Sequence, residues 1–90
     1  SRCAVGVGAG TPVEQFVTDL KADICVVTDD GYTFWREGAF AIDAKIPLIV
    51  VNHCVAEDEG IRRLADSLRG EYPNVPVHFI PQAGTMQLVK

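Results

Sequence analysis

The chain has 90 residues, of which 48% are apolar and 22% are charged, and its formal net charge at pH 7 is −4. This composition is typical of a globular domain and excludes a disordered or collagen-like chain. An acidic balance disfavours nucleic-acid binding, because that binding depends on basic side chains that neutralise phosphates. No apolar stretch approaches the roughly 20 residues that a membrane span requires. We therefore expect a domain that binds neither nucleic acid nor membrane.

The first strand and the first helix are predicted from the N-terminal part of the chain. Residues 2–7 are strand-like and end in a glycine-containing loop. Thr11 and Glu14 form a capping-box pattern, and Pro12 suits the first position of a helix. Apolar residues at helical spacing continue this pattern as far as Leu20. The sequence thus predicts a helix with Thr11 as its N-cap.

The remaining segments continue an alternation of strands and helices. Continuous apolar runs at residues 24–27 and 48–51 are typical of strands that are covered on both faces. Helical spacing predicts a second helix over residues 34–44 and a third over residues 57–69. Residues 75–80 are predicted to form a fourth strand.

The segments follow one another in β-α-β-α-β-α-β order, and helical crossovers between strands indicate a mostly parallel sheet with helices on both faces. The fold class is therefore α/β, and residues 1–90 are expected to form a single small three-layer domain. So small a domain has a modest core, which favours help from a partner domain or subunit. Cys3, Cys25 and Cys54 are odd in number and far apart, which favours free thiols in the cytoplasm.

A glycine loop follows the first predicted strand at the sheet edge where ligands bind in open α/β folds. Gly8 and Gly10 lie directly before Thr11, and backbone N–H groups in such a loop can hold an anion. The dinucleotide-binding fingerprint and the Walker lysine are both absent. The alternative is therefore that the glycines only permit a tight turn.

Acidic and histidine side chains follow the second and third predicted strands. Asp29 and Asp30 can complete a metal shell, orient water or act as a general base, or they can be turn and cap residues before Gly31. His53 and Glu57 would share a helix face if the third helix began near His53, and imidazole with carboxylate suits Zn²⁺, Mn²⁺ or Fe²⁺. The alternative is a structural histidine and a glutamate that favours the helix dipole. Two ligands do not complete a catalytic metal site, so further ligands would come from elsewhere.

Together these features resemble the C-terminal half of the NIF-three-like family, whose members are also described as GTP cyclohydrolase 1 type 2 homologues. The matching segments cover almost the whole chain: the glycine-containing first strand with its helix, and residues 22–30, 46–57, 60–68 and 75–79. The resemblance implies a two-metal site between two similar α/β halves, with His53 and Glu57 as the ligands from this half. A His pair and an Asp would come from an N-terminal half, and such proteins tend to assemble as rings.

The chain departs from the family pattern in the acidic loop. It has Asp29-Asp30 where the family often has Gly-Asp or Gly-Glu, and a histidine common a few residues later has no counterpart in residues 31–35. The resemblance still implies part of a metal-binding hydrolytic protein that acts on a nucleotide-like or phosphorylated small molecule. Asp30 and Asp29 would then position water or a ligating histidine.

Partners and alternatives follow from the same reasoning. The resemblance implies two divalent ions, a partner that is the N-terminal half or another subunit, and a homo-oligomer. One alternative is a non-catalytic interaction or oligomerisation module, which would use its aromatic residues for docking. Another is the nucleotide-binding half of a doubly wound enzyme, which would use the glycine loop.

Overall fold

The computed structural model describes residues 1–82 and 87–89, and the chain divides into two compact units, Ser1–His53 and Cys54–Lys90. The first unit contains β1 (Cys3–Gly6), α1 (Val13–Thr18), β2 (Ile24–Thr28), a 3₁₀ turn (Asp29–Gly31), a π-helical turn (Phe34–Gly38), α2 (Ala39–Ala44) and β3 (Leu48–Val51). The last helix, α3 (His53–Glu71), begins at the end of the first unit and runs into the second. That all ninety residues form a single domain stays a prediction.

The strands form a three-stranded parallel sheet in the order β1-β2-β3. Cys3 lies opposite Ile24 in the first pair of strands, and Cys25 lies opposite Leu48 in the second pair. Parallel neighbours need a crossover between them, and α1 and α2 supply the two crossovers. The α/β class and the parallel sheet are thus confirmed.

The core of the first unit lies on one face of this sheet. Ala4, Cys25 and Val27 are buried there, and Val13 from α1 and Phe40 from α2 pack on the same cluster. The strands follow chain order across the sheet, from β1 through β2 to β3. Right-handed crossovers therefore place α1 and α2 on the same face. Because α1 and α2 both cover this face, the predicted third layer, formed by a helix on the other face, stays a prediction.

The prediction that residues 48–51 form a strand covered on both faces is wrong, because Ile49 and Val50 in β3 are exposed. Val5 in the other outer strand, β1, is 65% exposed. The sequence predicts apolar strands correctly, but apolar composition does not tell which side chains the neighbouring elements cover.

The start of α1 also differs from the prediction. Thr11 is not an N-cap, because the helix begins at Val13 and Pro12 occupies the capping position without a side-chain hydrogen bond. The Thr11 hydroxyl instead donates to the carbonyl oxygen of Gly8 over 2.8 Å, and Thr11 is buried. The Thr11 hydroxyl is thus directed to the glycine loop, and no side-chain hydrogen bond caps the start of α1.

The second unit contains most of α3 and the residues that follow it. Salt bridges along this helix join Arg63 to Glu59 at 3.1 Å and Arg69 to Asp66 at 2.6 Å. Acidic and basic side chains three and four residues apart lie side by side on a helix surface. The alternating charges of this segment therefore form the exposed face of a helix.

The prediction of a fourth strand is wrong, since residues 75–80 form neither strand nor helix. Side chains of α3 hold this segment instead: Arg69 donates to the carbonyl oxygen of Val77 at 3.0 Å, and the Arg62 guanidinium lies 4.8 Å from the centre of the Phe79 ring. Pro76 has no N–H group to give to a strand ladder, which also disfavours pairing. The segment is mostly apolar but does not belong to the sheet.

The core can be tested at Val27, which is 1% exposed at the centre of the sheet. We expect Val27→Ala to lower the free energy of unfolding by about 2 kcal/mol, because it removes buried methyl groups and leaves a cavity. Val5→Ala, at an exposed position of the neighbouring strand, should change it by less than about 0.5 kcal/mol. Urea denaturation measures both, and equal losses would contradict this assignment of the core.

Candidate functional site

Strand register brings two polar segments together at the carboxyl edge of the sheet. Thr28, the last residue of β2, lies opposite Val51, the last residue of β3. The residues that follow these two strands, Asp29 and Asn52, therefore leave the sheet side by side. The site described below consists of Asp29, Asp30 and His53, and we call it the carboxylate–histidine cluster.

Asp29 is held by the start of the helix that follows β3. One of its carboxylate oxygens accepts a hydrogen bond from the Asn52 side-chain amide at 2.8 Å, and the other accepts one from the backbone N–H of His53 at 3.1 Å. His53 is the first residue of α3, where backbone N–H groups have no partner within the helix. Asp29 therefore supplies a partner for the helix N-terminus and a negative charge where the helix dipole favours one.

Asp30 is held by a hydroxyl and by the imidazole. Its Oδ1 accepts a hydrogen bond from the Thr28 hydroxyl at 2.6 Å, and its Oδ2 lies 2.8 Å from Nδ1 of His53. The Thr28 hydrogen bond is the largest influence that lowers the pKa of Asp30, and the hydrogen bond and charge of His53 lower it further against the opposing effect of desolvation. Asp30 is consequently a carboxylate at neutral pH, and it fixes the orientation of the His53 ring.

Thr28 connects this cluster to the glycine loop. Its buried hydroxyl accepts a hydrogen bond from the Gly8 N–H at 2.8 Å while it donates to Asp30. Gly8 has a φ of 88°, which favours glycine over residues with a side chain. Gly31 packs so closely on this loop that a Cβ atom there would lie 2.7 Å from the Gly8 carbonyl oxygen. The loop, the acidic turn and the sheet edge are thus fixed to one another.

The side chains of the cluster are close enough together to reach one metal ion. Asp29, Asp30 and His53 each offer one ligand atom, and these atoms all lie within 4.8 Å of one another. Two carboxylates and an imidazole form a donor set that suits Zn²⁺, Mn²⁺ or Fe²⁺. The residues present therefore fit such an ion.

The structure brings together three of the residues that the sequence singles out, Asp29, Asp30 and His53. The third helix begins at His53. The predicted pairing of His53 with Glu57 on one helix face required this start. Glu57 belongs to the second unit, and its role as a ligand stays a prediction. The anion-binding role of the glycine loop also stays a prediction, although the Gly8 N–H is already donated to Thr28.

Thr28 is the residue of this site that sequence reasoning missed. It ends an apolar strand, and a single hydroxyl in that position gives no periodic signal. The signal that could have identified it is a buried polar residue directly before a pair of acids, because a buried hydroxyl requires hydrogen-bond partners.

An open cleft of about 500 Å³ lies beside the cluster, and Asp30 is part of its lining. We call it the Asp30 cleft. Gly10 and Thr11 from the glycine loop line one part of it, and Tyr32 and Phe40 line another. The cleft and the carboxylate–histidine cluster therefore share one side chain.

Glu37 is a fixed negative charge in the same cleft. Its Oε2 accepts hydrogen bonds from the backbone N–H of Thr33 at 2.8 Å and from the Thr33 hydroxyl at 2.7 Å. The Thr33 hydroxyl is the main cause that lowers the pKa of Glu37, and the charge of Arg36 adds to it. This arrangement closes the start of the π-helical turn, where Gly38 N–H donates to the Thr33 carbonyl oxygen five residues earlier.

No protein-family model, no curated protein and no solved structure matches this chain. Among residues 1–82 and 87–89 there is no helix of the length and apolar character that a bilayer crossing needs. Fold and site together define a small α/β protein with a carboxylate–histidine cluster at the carboxyl edge of a parallel sheet. Its resemblance to the NIF-three-like family stays a prediction.

The connecting role of Thr28 can be tested with Thr28→Val, which keeps the shape and removes the hydroxyl. We expect the pKa of Asp30 to rise in the metal-free protein, because its strongest hydrogen bond is lost, and the unfolding free energy to fall by about 1 kcal/mol as the Gly8 N–H loses its acceptor. Carbon-detected NMR titration and urea denaturation measure the two effects. Thr18→Val, at an exposed hydroxyl, is the control. An unchanged Asp30 titration in Thr28→Val would refute this role.

The cap at Glu37 predicts a pH-dependent difference between the wild type and Glu37→Gln. We expect the wild type to be more stable by about 1 kcal/mol at pH 7, as for a lost helix cap. The folded-state pKa lies below the ordinary value of about 4.3, so this advantage is complete above that value and is lost as the pH falls through the folded-state pKa. Thermal unfolding from pH 7 to pH 3 measures it, and a difference that persisted in acid would count against the cap.

Proposed function

We propose that this chain is part of a divalent-metal-binding, hydrolytic protein. The observation that carries the proposal is the juxtaposition of His53, a proposed ligand, with two carboxylates: one donor atom from each of Asp29, Asp30 and His53 lies within 4.8 Å of the others. The location adds support, because ligands of open α/β sheets bind at the carboxyl ends of the strands.

His53 and Glu57 are the proposed metal ligands. Asp30 has a positioning role: it holds Nδ1 of the imidazole and so directs Nε2 as the ligating atom, as carboxylates do beside many metal-bound histidines. Asp29 adds a further carboxylate at the cluster while it anchors the start of α3. These assignments give each side chain a separate task in binding or orienting the ion.

The proposed chemistry is hydrolysis of a nucleotide-like or phosphorylated small molecule. A divalent ion in this site would supply Lewis acidity toward water and toward a carbonyl or phosphoryl oxygen of the substrate. Asp30 is ionised at neutral pH, and the carboxylates of the cluster can accept a proton from a water molecule beside them. A complementary N-terminal half or a second subunit would complete a two-ion site, in a cytoplasmic homo-oligomer.

A second candidate function is a non-catalytic interaction or oligomerisation module. The observation that favours it is the exposure of two adjacent aromatic side chains, Phe34 at 71% and Trp35 at 74%. Large exposed aromatics are enriched where proteins meet partners. The nucleotide-binding alternative is less favoured, because the Gly8 N–H that would contact a phosphate is already bonded to Thr28.

Metal titration by calorimetry tests the proposal. We expect the chain to bind Zn²⁺ or Mn²⁺ with micromolar affinity and His53→Ala and Glu57→Ala each to weaken binding at least about ten-fold. Asp30→Asn should weaken binding by about ten- to a hundred-fold through the loss of its contact with His53.

The matched control is His78→Ala, since His78 is the other histidine of the chain. This variant should bind metal like the wild type, and circular dichroism should show that all four variants retain their helices. Metal affinity that is unchanged in both His53→Ala and Glu57→Ala would contradict the proposed site and leave the interaction module as the better account.

A further inference from the structure

The Asp30 cleft has the size and lining of a small-molecule site. Its volume of about 500 Å³ falls within the range of ligand pockets. Tyr32 and Phe40 are half-buried and supply aromatic surface, whereas Thr33 and Gln15 supply polar groups. Because Asp30 belongs both to this cleft and to the cluster, a molecule bound in the cleft lies next to the carboxylate–histidine cluster.

The charges of the cleft are unbalanced. Among the described residues that line it, the carboxylates are Glu14, Asp30 and Glu37, and Arg36 is the only cation. Arg36 lies 3.8 Å from Oε1 of Glu37, so its charge is directed in part toward a carboxylate of the cleft itself. Hydrogen bonds from the backbone N–H and the hydroxyl of Thr33 hold the Glu37 carboxylate in place. The lining therefore carries an excess of two negative charges.

We propose that the Asp30 cleft binds a positively charged nitrogen group of the substrate, an amine, amidine or guanidine. This inference rests on the proposed function, because it assigns the cleft to the part of the substrate that is not attacked. Carboxylates attract such a cation, and the aromatic rings of Tyr32 and Phe40 add apolar surface for the rest of the bound group.

An anionic group is disfavoured in the same cleft. A phosphate or carboxylate there would meet three carboxylates, and the one guanidinium is already close to Glu37. Like charges at close range oppose binding, and they select against the wrong partner. A phosphoryl group of the substrate is therefore assigned to the metal cluster and the cationic group to the cleft, which makes the substrate a molecule with both charges.

Three probes of equal shape and different charge test the assignment: benzamidine, which is cationic, benzamide, which is neutral, and benzoate, which is anionic. Two-dimensional NMR of the metal-free chain gives the affinity of each probe and the residues whose signals shift. We expect benzamidine to bind with a millimolar dissociation constant and to shift the signals of Tyr32, Thr33 and Phe40. Benzamide should bind more weakly, and benzoate should cause no saturable shifts.

Two substitutions should then change the benzamidine affinity in opposite directions. Glu14→Gln removes an exposed carboxylate and should weaken binding about two- to five-fold, whereas Arg36→Gln removes the cation and should strengthen binding about two- to five-fold. Asp43→Asn is the control: it removes the same charge as Glu14→Gln from an exposed position of α2 that does not line the cleft. If the two substitutions acted only by disturbing the structure, they would not change the benzamidine affinity in opposite directions.

The inference is overturned if benzoate binds better than benzamidine, or if Glu14→Gln and Arg36→Gln fail to change the benzamidine affinity. Its failure is distinguishable from failure of the proposed function. A chain that binds metal through His53 but does not bind benzamidine retains the metal site and loses the substrate assignment. A chain that binds benzamidine in the cleft but no metal retains a cation-binding cleft and loses the hydrolytic function.

Discussion

The buried hydroxyl of Thr28 connects the sheet to every part of the candidate site. It accepts the Gly8 N–H and donates to Asp30, and Asp30 in turn contacts the His53 ring. A buried hydroxyl that both donates and accepts is fully satisfied, which avoids the free-energy cost of an unpaired polar group. The parallel register sets this arrangement, because it places the end of β2 beside the end of β3. Glycine loop, acidic turn and helix start are thereby held in one geometry.

The two carboxylates of the acidic turn have different tasks because their partners differ. Asp29 accepts hydrogen bonds from Asn52 and from the first backbone N–H of α3, so it mainly anchors a helix. Asp30 contacts the imidazole and also lines the cleft, so it joins the cluster to the space where a small molecule fits. Two adjacent aspartates thus have different contacts: Asp29 anchors a helix, and Asp30 contacts the His53 ring and the cleft.

The sequence predicts much of the fold and part of the site. The three parallel strands and the intervening helices follow from apolar runs and helical spacing, and the positions of Asp29, Asp30 and His53 at the strand ends follow from the same reasoning. The predictions fail where one group has two possible partners. Thr11 bonds to the Gly8 carbonyl and not to its helix, and residues 75–80 bond to side chains of α3 and not to a strand. Local patterns do not show which of two possible partners such a group will bond to.

The sequence by itself determined the α/β class, the strand and helix order as far as α3, and the residue types at the carboxyl edge of the sheet, because these depend on periodicity and local backbone preferences. Tertiary structure decided that α1 and α2 cover the same face, that Thr28 links the glycine loop to Asp30, and that Glu37 caps a π-helical turn inside a cleft. These features depend on strand register and on which side chains meet across the fold. The first two features join residues far apart in the chain, and the third joins Thr33 and Glu37 at a π-helical turn, so helical and strand periodicity encode none of them.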